Sequence, residues 1–87
     1  MIKLLDFYAD WCGPCKAMKP VFEELEKEFE GQIGFESIDV EQNGALAAKY
    51  QVMSIPTFVI LKDEKEVSRR LGAMTKDSFK EWLEKNL

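Results

Sequence analysis

The amino-acid sequence predicts an α/β fold with elements in the order β-α-β-α-β-β-α. Short apolar runs of strand length alternate along the chain with segments whose apolar residues recur at helical spacing. The last two strands are separated only by a short polar segment, which is typical of an antiparallel hairpin. Because the chain has 87 residues and contains neither a repeat nor a linker, we expect one domain over residues 1–87.

The first half of the chain predicts a right-handed β-α-β unit. Residues 2–9 are nearly all apolar or aromatic, as in a strand that is covered on both faces. A helix is predicted over residues 12–30, and Gly31 ends it. The apolar face of this helix comprises Met18, Phe22, Leu25 and Phe29. Alternating polarity and β-branched residues predict a second strand over 33–40, parallel to the first.

The second half predicts a short helix, a hairpin and a last helix. Asn43 is placed to cap a short alanine-rich helix. Residues 57–61 form an apolar run of strand length, and a polar segment turns the chain into a second strand over 66–71. Thr75 is placed to cap the last helix. Helical spacing predicts an inward face of Phe79, Trp82 and Leu83.

Composition excludes several classes of function. The net charge is −4 and the lysines are scattered, which disfavours nucleic acid as a partner. No apolar run approaches the roughly 18–20 residues that cross a bilayer, so no membrane association is expected. Since the chain has no histidine, zinc sites that need it and Ser–His–Asp triads are excluded, and we expect no metal. Asp6 interrupts any signal-peptide core, so a cytoplasmic location is expected.

The two cysteines, Cys12 and Cys15, indicate the chemistry. They lie where the first strand gives way to a helix, so Cys12 is expected at a helix N-terminus, where unpaired N–H groups favour negative charge. This position lowers the pKa of a thiol, and the thiolate is the species that attacks a disulfide. Cys15 is expected one turn deeper and better shielded. The spacing therefore predicts an attacking thiol and a resolving thiol.

Three other interpretations of the cysteine pair stay open at this point. A zinc site needs about four ligands, of which the pair supplies two. A purely structural disulfide across two intervening residues restrains little of the unfolded chain. The two cysteines are also compatible with inert, buried thiols. A CxxC pair near a β-α-β unit favours the redox interpretation.

Residues 5–16, which read Leu-Asp-Phe-Tyr-Ala-Asp-Trp-Cys-Gly-Pro-Cys-Lys, resemble the active-site segment of the thioredoxin family. The similarity covers essentially the whole chain and continues at Pro20, Asp39–Asn43, Tyr50, Ile55–Thr57 and Gly72–Ala73. It implies the thioredoxin fold, a four-stranded mixed sheet flanked by helices, and a protein-disulfide reductase with no bound cofactor. The family usually has a further strand and helix before residue 2, so a shortened member is expected, with strand 33–40 at the sheet edge.

The resemblance also implies roles for individual residues. Cys12 would be the nucleophile and Cys15 the resolving thiol, while Gly13 and Pro14 between them mark the reducing branch of the family. Pro56 would be a cis-proline that faces the cysteines. Asp6 would be a buried carboxylate beneath Cys15 that accepts its proton. The surface that binds substrate proteins would comprise Trp11, Gly13, Pro14, Ile55, Pro56, Gly72 and Ala73.

Each of these roles has a plain structural alternative. Asp6 is also compatible with an exposed position at a strand end, Pro56 with an ordinary trans-proline, and Trp11 with a core residue. Gly72 is compatible with a simple end to a strand. Ser37 stands where many family members have a lysine near the buried aspartate, which leaves the size of the pKa shift of Asp6 open.

The resemblance implies two kinds of partner. Electrons would come from a thioredoxin reductase, whose type the sequence does not reveal, and pass to client proteins that contain disulfides. A monomer is expected, with weak dimerisation through the edge strand as the alternative. A glutaredoxin-like or oxidising isomerase is a rival function that the Gly-Pro pair disfavours. A non-catalytic binding module is a second rival, which the presence of both thiols disfavours.

Overall fold

The computed structural model describes all 87 residues, Met1–Leu87, and contains seven elements in the predicted order. The strands are β1 (Ile2–Tyr8), β2 (Ile33–Asp39), β3 (Thr57–Lys62) and β4 (Lys65–Leu71). The helices are α1 (Gly13–Glu28), α2 (Gly44–Lys49) and α3 (Lys76–Lys85). Apolar periodicity and the turn residues therefore locate the elements to within about two residues.

The four strands form one mixed sheet in the order β2-β1-β3-β4. Strand β1 pairs parallel with β2 and antiparallel with β3, and β3 pairs antiparallel with β4. Strand β1 is central, and its residues Leu4, Leu5 and Phe7 are buried because both faces of the sheet are covered. The predicted four-stranded α/β fold is confirmed, and β2 lies at an edge as expected.

Helices α1 and α3 cover one face of the sheet, and α2 covers the other. The larger core lies under α1 and α3 and includes Met18, Phe22, Leu25, Phe29, Leu4, Phe58, Phe79, Trp82 and Leu83. The smaller core lies under α2 and comprises Leu5, Phe7, Ile38, Ala47, Val59 and Leu61. The apolar faces predicted for α1 and α3 are thus the faces that these helices bury.

The Asn43 prediction is only partly right. Asn43 occupies the N-cap position of α2, but its side chain makes no capping hydrogen bond. Its amide nitrogen donates instead to the main-chain oxygen of Asp39, at 3.4 Å. The turn between β3 and β4 is tight, with positive φ at both Asp63 and Glu64, the backbone geometry of a two-residue hairpin turn.

Thr75 caps α3 as predicted, since its hydroxyl oxygen accepts a hydrogen bond from the main-chain N–H of Ser78 at 3.1 Å. We expect Thr75→Ala to lower the free energy of unfolding by about 1 kcal/mol, because it removes that acceptor. Thr75→Ser keeps the acceptor and is expected to retain most of the stability that Thr75→Ala loses. Urea unfolding of both variants measures the difference; equal losses in the two would contradict the assignment.

None of the three helices combines the length and the apolar character that crossing a membrane requires.

Candidate active site

Cys12 and Cys15 are joined by a disulfide at the start of α1, with their Cα atoms 5.2 Å apart. Cys12 is the N-cap residue, in an extended conformation, and its Sγ accepts a hydrogen bond from the main-chain N–H of Cys15 at 3.2 Å. Pro14 lies in the first turn of the helix, where main-chain N–H groups have no partner within the helix. The N–H that proline lacks therefore costs the helix no hydrogen bond. The local sequence thus fixes one sulfur at the helix N-terminus and the other a turn inside.

This placement stabilises negative charge on the sulfur of Cys12. The partial positive charge of the helix N-terminus acts on it, and no acidic side chain lies in the first turn of α1 to oppose that effect. The N–H of Cys15 donates directly to the same sulfur. The reduced form of this site therefore favours a thiolate at Cys12.

The two cysteines are almost equally buried, with 5% of Cys12 and 8% of Cys15 exposed. They pack with Ala9 in a small apolar cluster against Tyr8, Val40 and Ile55. The expectation that Cys15 is the better shielded residue is therefore wrong for this oxidised form. The disulfide draws both side chains into one cluster, so the difference in depth along the helix does not translate into a difference in exposure.

Two loops from the second half of the chain lie together, and the first of them reaches the disulfide. The Ile55–Pro56 peptide bond is cis, and Ile55 packs against the cysteine cluster. Pro56 is fully buried, and its carbonyl oxygen accepts a hydrogen bond from the N–H of Gly72 at 2.8 Å. Gly72 has a φ of +87°, which its lack of a Cβ permits. This hydrogen bond holds the loop after β4 against the loop before β3, whose Ile55 contacts the cysteine cluster.

Trp11 lies on the surface next to Cys12, with 70% of it exposed. Its indole N–H donates to a carboxylate oxygen of Glu41. The main-chain N–H of Glu41 in turn donates to Asp39 at 2.9 Å. The core alternative for Trp11 is wrong, because the side chain is held outside the core by a polar partner.

Asp6 is buried in the middle of β1. Only 9% of the residue is exposed, and its Oδ1 atom has no hydrogen-bond partner in the protein. In the sheet it lies between Ser37 of β2 and Phe58 of β3. Burial without a compensating charge raises the pKa of Asp6 from 3.8 to about 7. The alternative of an exposed strand-end aspartate is wrong.

Asp6 and Cys15 line the same cleft, which lies between α1 and the β1–β2 edge of the sheet and has a volume of about 370 Å³. The other residues that line this cleft are Tyr8, Ala9, Asp10, Lys16, Lys19, Phe22 and Ser37. A carboxyl group with a nearly neutral pKa and the inner cysteine of the pair thus share one solvent-facing space.

Comparison with known proteins decides the family. The family model for thioredoxin matches residues 1–85.

The chain belongs to the thioredoxin family.

Curated relatives and solved structures agree with this assignment. The thioredoxins of Staphylococcus aureus strains Mu50 and MW2 are each 45% identical to this chain over 86 residues, which cover 99% of this chain and 83% of theirs. A mutant thioredoxin from Halobacterium salinarum NRC-1 has a TM-score of 0.89 and 39% identity to it, covering 97% of this chain and 73% of that one.

The thioredoxin assignment and the disulfide together give the activity. The chain is a thiol–disulfide oxidoreductase, and Cys12 and Cys15 form its redox-active pair. The predicted family, fold and enzyme class are confirmed, and the interpretation of the two cysteines as inert thiols is wrong. No group of three or more His, Cys, Asp or Glu side chains is arranged to hold a metal ion.

The thioredoxin site also has a feature that sequence reasoning missed. Glu41 lies in the segment that carries the resemblance, but no pattern predicted its bond to Trp11. The available signal was topological: β1 and β2 are parallel neighbours, so the residues that follow Tyr8 and Asp39 meet at the same edge of the sheet. A carboxylate just after β2 therefore lies close to an indole just after β1.

Proposed function

We propose that this chain reduces protein disulfides, carrying electrons from an upstream reductase to client proteins. The single observation that supports this most strongly is the position of Cys12, whose sulfur is the N-cap of α1 and accepts the N–H of Cys15. A thiolate stabilised in this way is a nucleophile toward disulfides and also a good leaving group. Both properties are needed by a carrier that cycles between dithiol and disulfide.

The first step in this proposal is attack by the Cys12 thiolate on one sulfur of a client disulfide. A bond forms between the Cys12 sulfur and that client sulfur, the client S–S bond breaks, and the second client sulfur leaves as a thiolate that takes a proton from solvent. The product is a mixed disulfide between Cys12 and the client.

The second step releases the client. The Cys15 thiol gives its proton to the carboxylate of Asp6, and the resulting thiolate attacks the sulfur of Cys12. The Cys12–Cys15 disulfide forms as the client's remaining thiolate leaves, so two electrons have passed to the client. The pKa of about 7 supports Asp6 as the proton acceptor, because a base is most effective near the working pH.

The surface proposed to bind clients surrounds the disulfide. Ile55 packs on the cysteine cluster, and the bond between Pro56 and Gly72 holds the two flanking loops together. Trp11, the neighbour of Cys12 in the sequence, exposes 70% of its surface. The main chain of Ile55 would pair with an extended client segment, as in other strand additions. The proposed surface comprises Trp11, Gly13, Pro14, Ile55, Gly72 and Ala73, and the buried Pro56 lies beneath it.

We propose further that the chain works as a single-domain monomer in the cytoplasm, without a bound cofactor. Its electrons would come from a thioredoxin reductase. To identify the type of reductase, the oxidised protein is incubated with cell extract and either reduced nicotinamide cofactor or reduced ferredoxin. The readout is the appearance of free thiols at Cys12 and Cys15. A chain that stays oxidised under both conditions would contradict the proposed partner.

Cys15→Ser is expected to trap clients on Cys12, because it removes the thiol that resolves the mixed disulfide while leaving the attacking sulfur in place. With reduced Cys15→Ser and insulin as the client, we expect a covalent adduct that persists in non-reducing electrophoresis and disappears with excess dithiothreitol. The wild-type chain is the control and should show no lasting adduct. An adduct that resolves as fast as in the wild type would contradict the assigned role.

A further inference from the structure

The cleft that contains Asp6 is separate from the surface proposed to bind clients. Its lining has no residue in common with Trp11, Gly13, Pro14, Ile55, Pro56, Gly72 and Ala73. The cleft opens between α1 and β2, where Lys16, Lys19 and Ser37 are exposed. A client bound over Cys12 would therefore leave the cleft open to solvent.

Inside the cleft, Asp6 has an atom that no protein group satisfies. The residue is nine-tenths buried, and its Oδ1 accepts no hydrogen bond from the chain. A volume of about 370 Å³ holds several water molecules, each of which occupies about 30 Å³. Water in this space is the natural hydrogen-bonding partner of that oxygen and a carrier for its proton.

Ser37 lines this cleft from the β2 side. It is the direct neighbour of Asp6 across the β1–β2 pair, so the two side chains project from the same face of the sheet. Phe35, two residues earlier on that face, packs its ring against Phe22 of α1 at a centroid distance of 5.2 Å. A side chain as small as that of serine leaves open the space that an apolar residue of the size of leucine would fill.

We propose that the cleft between α1 and β2 is the route by which Asp6 exchanges its proton with solvent, and that Ser37 keeps this route open. The inference rests on the proposed role of Asp6 as proton acceptor for Cys15. After each turnover Asp6 holds one proton, and it must lose that proton to water before it accepts the next. The route lets this happen on the side of the molecule that the client does not cover.

The charges around the cleft suit this exchange. The charged and titratable groups that face Asp6 are Tyr8 and Asp10 from β1 and the loop after it, and Cys15, Lys16 and Lys19 from α1. Its neighbours Ser37 of β2 and Phe58 of β3 do not titrate. The two lysines give the mouth of the cleft a positive side, which attracts small anions.

Chemical rescue tests the route. The Asp6→Ala variant removes the proton acceptor, and we expect release of the client thiolate from the mixed disulfide to slow by about a hundredfold. Thionitrobenzoate bound to Cys12 serves as the client, since its release is followed by absorbance. Formate, a small carboxylate, is expected to enter the cleft of Asp6→Ala at about pH 7 and to accelerate release in proportion to its concentration.

The decisive comparison substitutes a leucine at one of two neighbouring positions of β2 in the Asp6→Ala variant. Ser37→Leu fills the cleft and is expected to abolish the rescue by formate. Glu36→Leu is the matched control, because Glu36 is exposed and pairs with Leu5, whose side chain faces α2 on the opposite side of the sheet; it should leave the rescue intact. Rescue of equal size in both double variants would overturn the proposed route.

A second measurement does not depend on activity. In the chain with Asp6 intact, Ser37→Leu is expected to raise the pKa of the Asp6 carboxyl above its value in the wild type, as followed by NMR of the carboxyl carbon, because it removes solvent from the cleft. Ser37→Ala keeps the cleft open and should leave that pKa near the wild-type value. If Asp6→Ala does not slow client release, the proposed role of Asp6 is wrong, and the pKa comparison alone decides whether the cleft connects Asp6 to solvent. An unchanged pKa in Ser37→Leu would overturn the proposal.

Discussion

Cys12→Ser is expected to abolish disulfide reduction, lowering the rate of insulin reduction by on the order of a thousandfold or more, as when the nucleophile of other enzymes is removed. The reason is that a serine hydroxyl remains protonated at the N-terminus of α1, whereas the cysteine sulfur there favours a thiolate. Turbidity of precipitating insulin chains, with dithiothreitol as the electron source, measures the rate.

The matched control for this prediction is Cys15→Ser, the same substitution three residues further along. It is expected to lose turnover as well, but to retain the first attack and form a mixed disulfide. The Cys12→Ser variant should form none, while its thermal unfolding shows that the fold is kept. Appreciable insulin reduction by Cys12→Ser would mean that Cys15 is able to initiate the reaction, which would contradict the order of the two steps.

The parts of the fold that sequence reasoning predicted well depend on local patterns. The apolar face of α1 and the inward face of α3 follow from helical spacing alone, and all seven of the side chains named for them are buried. Thr75 caps α3 because its hydroxyl acts on a residue three positions away. In each case the physical cause lies within a few residues of its effect.

The features that sequence reasoning missed depend on contacts between distant parts of the chain. Trp11 meets Glu41, thirty positions away, only because β1 and β2 are parallel neighbours. Cys12 and Cys15 end with similar exposure because residues from three separate segments pack around them.

The candidate site shows the same division. The CxxC spacing at a strand–helix junction sufficed to predict a redox pair, because helix geometry fixes one sulfur relative to the other. The burial of Asp6 was implied by the resemblance to the thioredoxin family, which places a carboxylate beneath Cys15. The cleft that reaches Asp6 was beyond sequence reasoning, since it depends on which residue of β2 lies in register with Asp6.

The buried carboxylate of Asp6 is expected to make the oxidised protein less stable as the pH rises. The pKa of Asp6 is about 7 in the folded chain, against 3.8 when unperturbed. Between these two values the folded state holds a proton that the unfolded state has lost, so the free energy of unfolding falls with increasing pH. The destabilisation is absent below about pH 4, grows up to about pH 7 and then stays constant at about 4 kcal/mol.

Other carboxylates make the free energy of unfolding rise with increasing pH in the acidic range. The effect of Asp6 must therefore be isolated by comparing the wild type with a variant of Asp6. The pKa values of Glu28, Asp63 and Glu66 are lowered by hydrogen bonds to Lys76, the N-terminal amine and Arg69, respectively. Their contributions are present above their unperturbed pKa values and are lost as the pH falls through the lowered ones. Because these groups are the same in the wild type and in a variant of Asp6, they cancel in the difference.

Asp6→Asn is therefore expected to be more stable than the wild type at pH 8 and nearly equal to it at about pH 4. Asparagine has the shape of the protonated aspartate and cannot ionise, so the difference in the free energy of unfolding should grow by about 4 kcal/mol over this interval. Urea unfolding of the oxidised proteins at each pH measures it. Asp77→Asn, a change at an exposed aspartate of α3, is the control and should show a pH-dependent difference below about 1 kcal/mol.

The same substitution should impair the enzyme while it stabilises the fold. Without a carboxylate to accept the proton of Cys15, release of the client from the mixed disulfide is expected to slow by about a hundredfold, whereas the initial attack by Cys12 is unaffected. The two results together would show that one property of Asp6, its raised pKa, lowers the stability of the fold and also serves the second step. A carboxylate that destabilises the fold when charged is also a base of suitable strength near neutral pH. A stability difference that does not vary with pH, or a variant as fast as the wild type in the second step, would contradict that link.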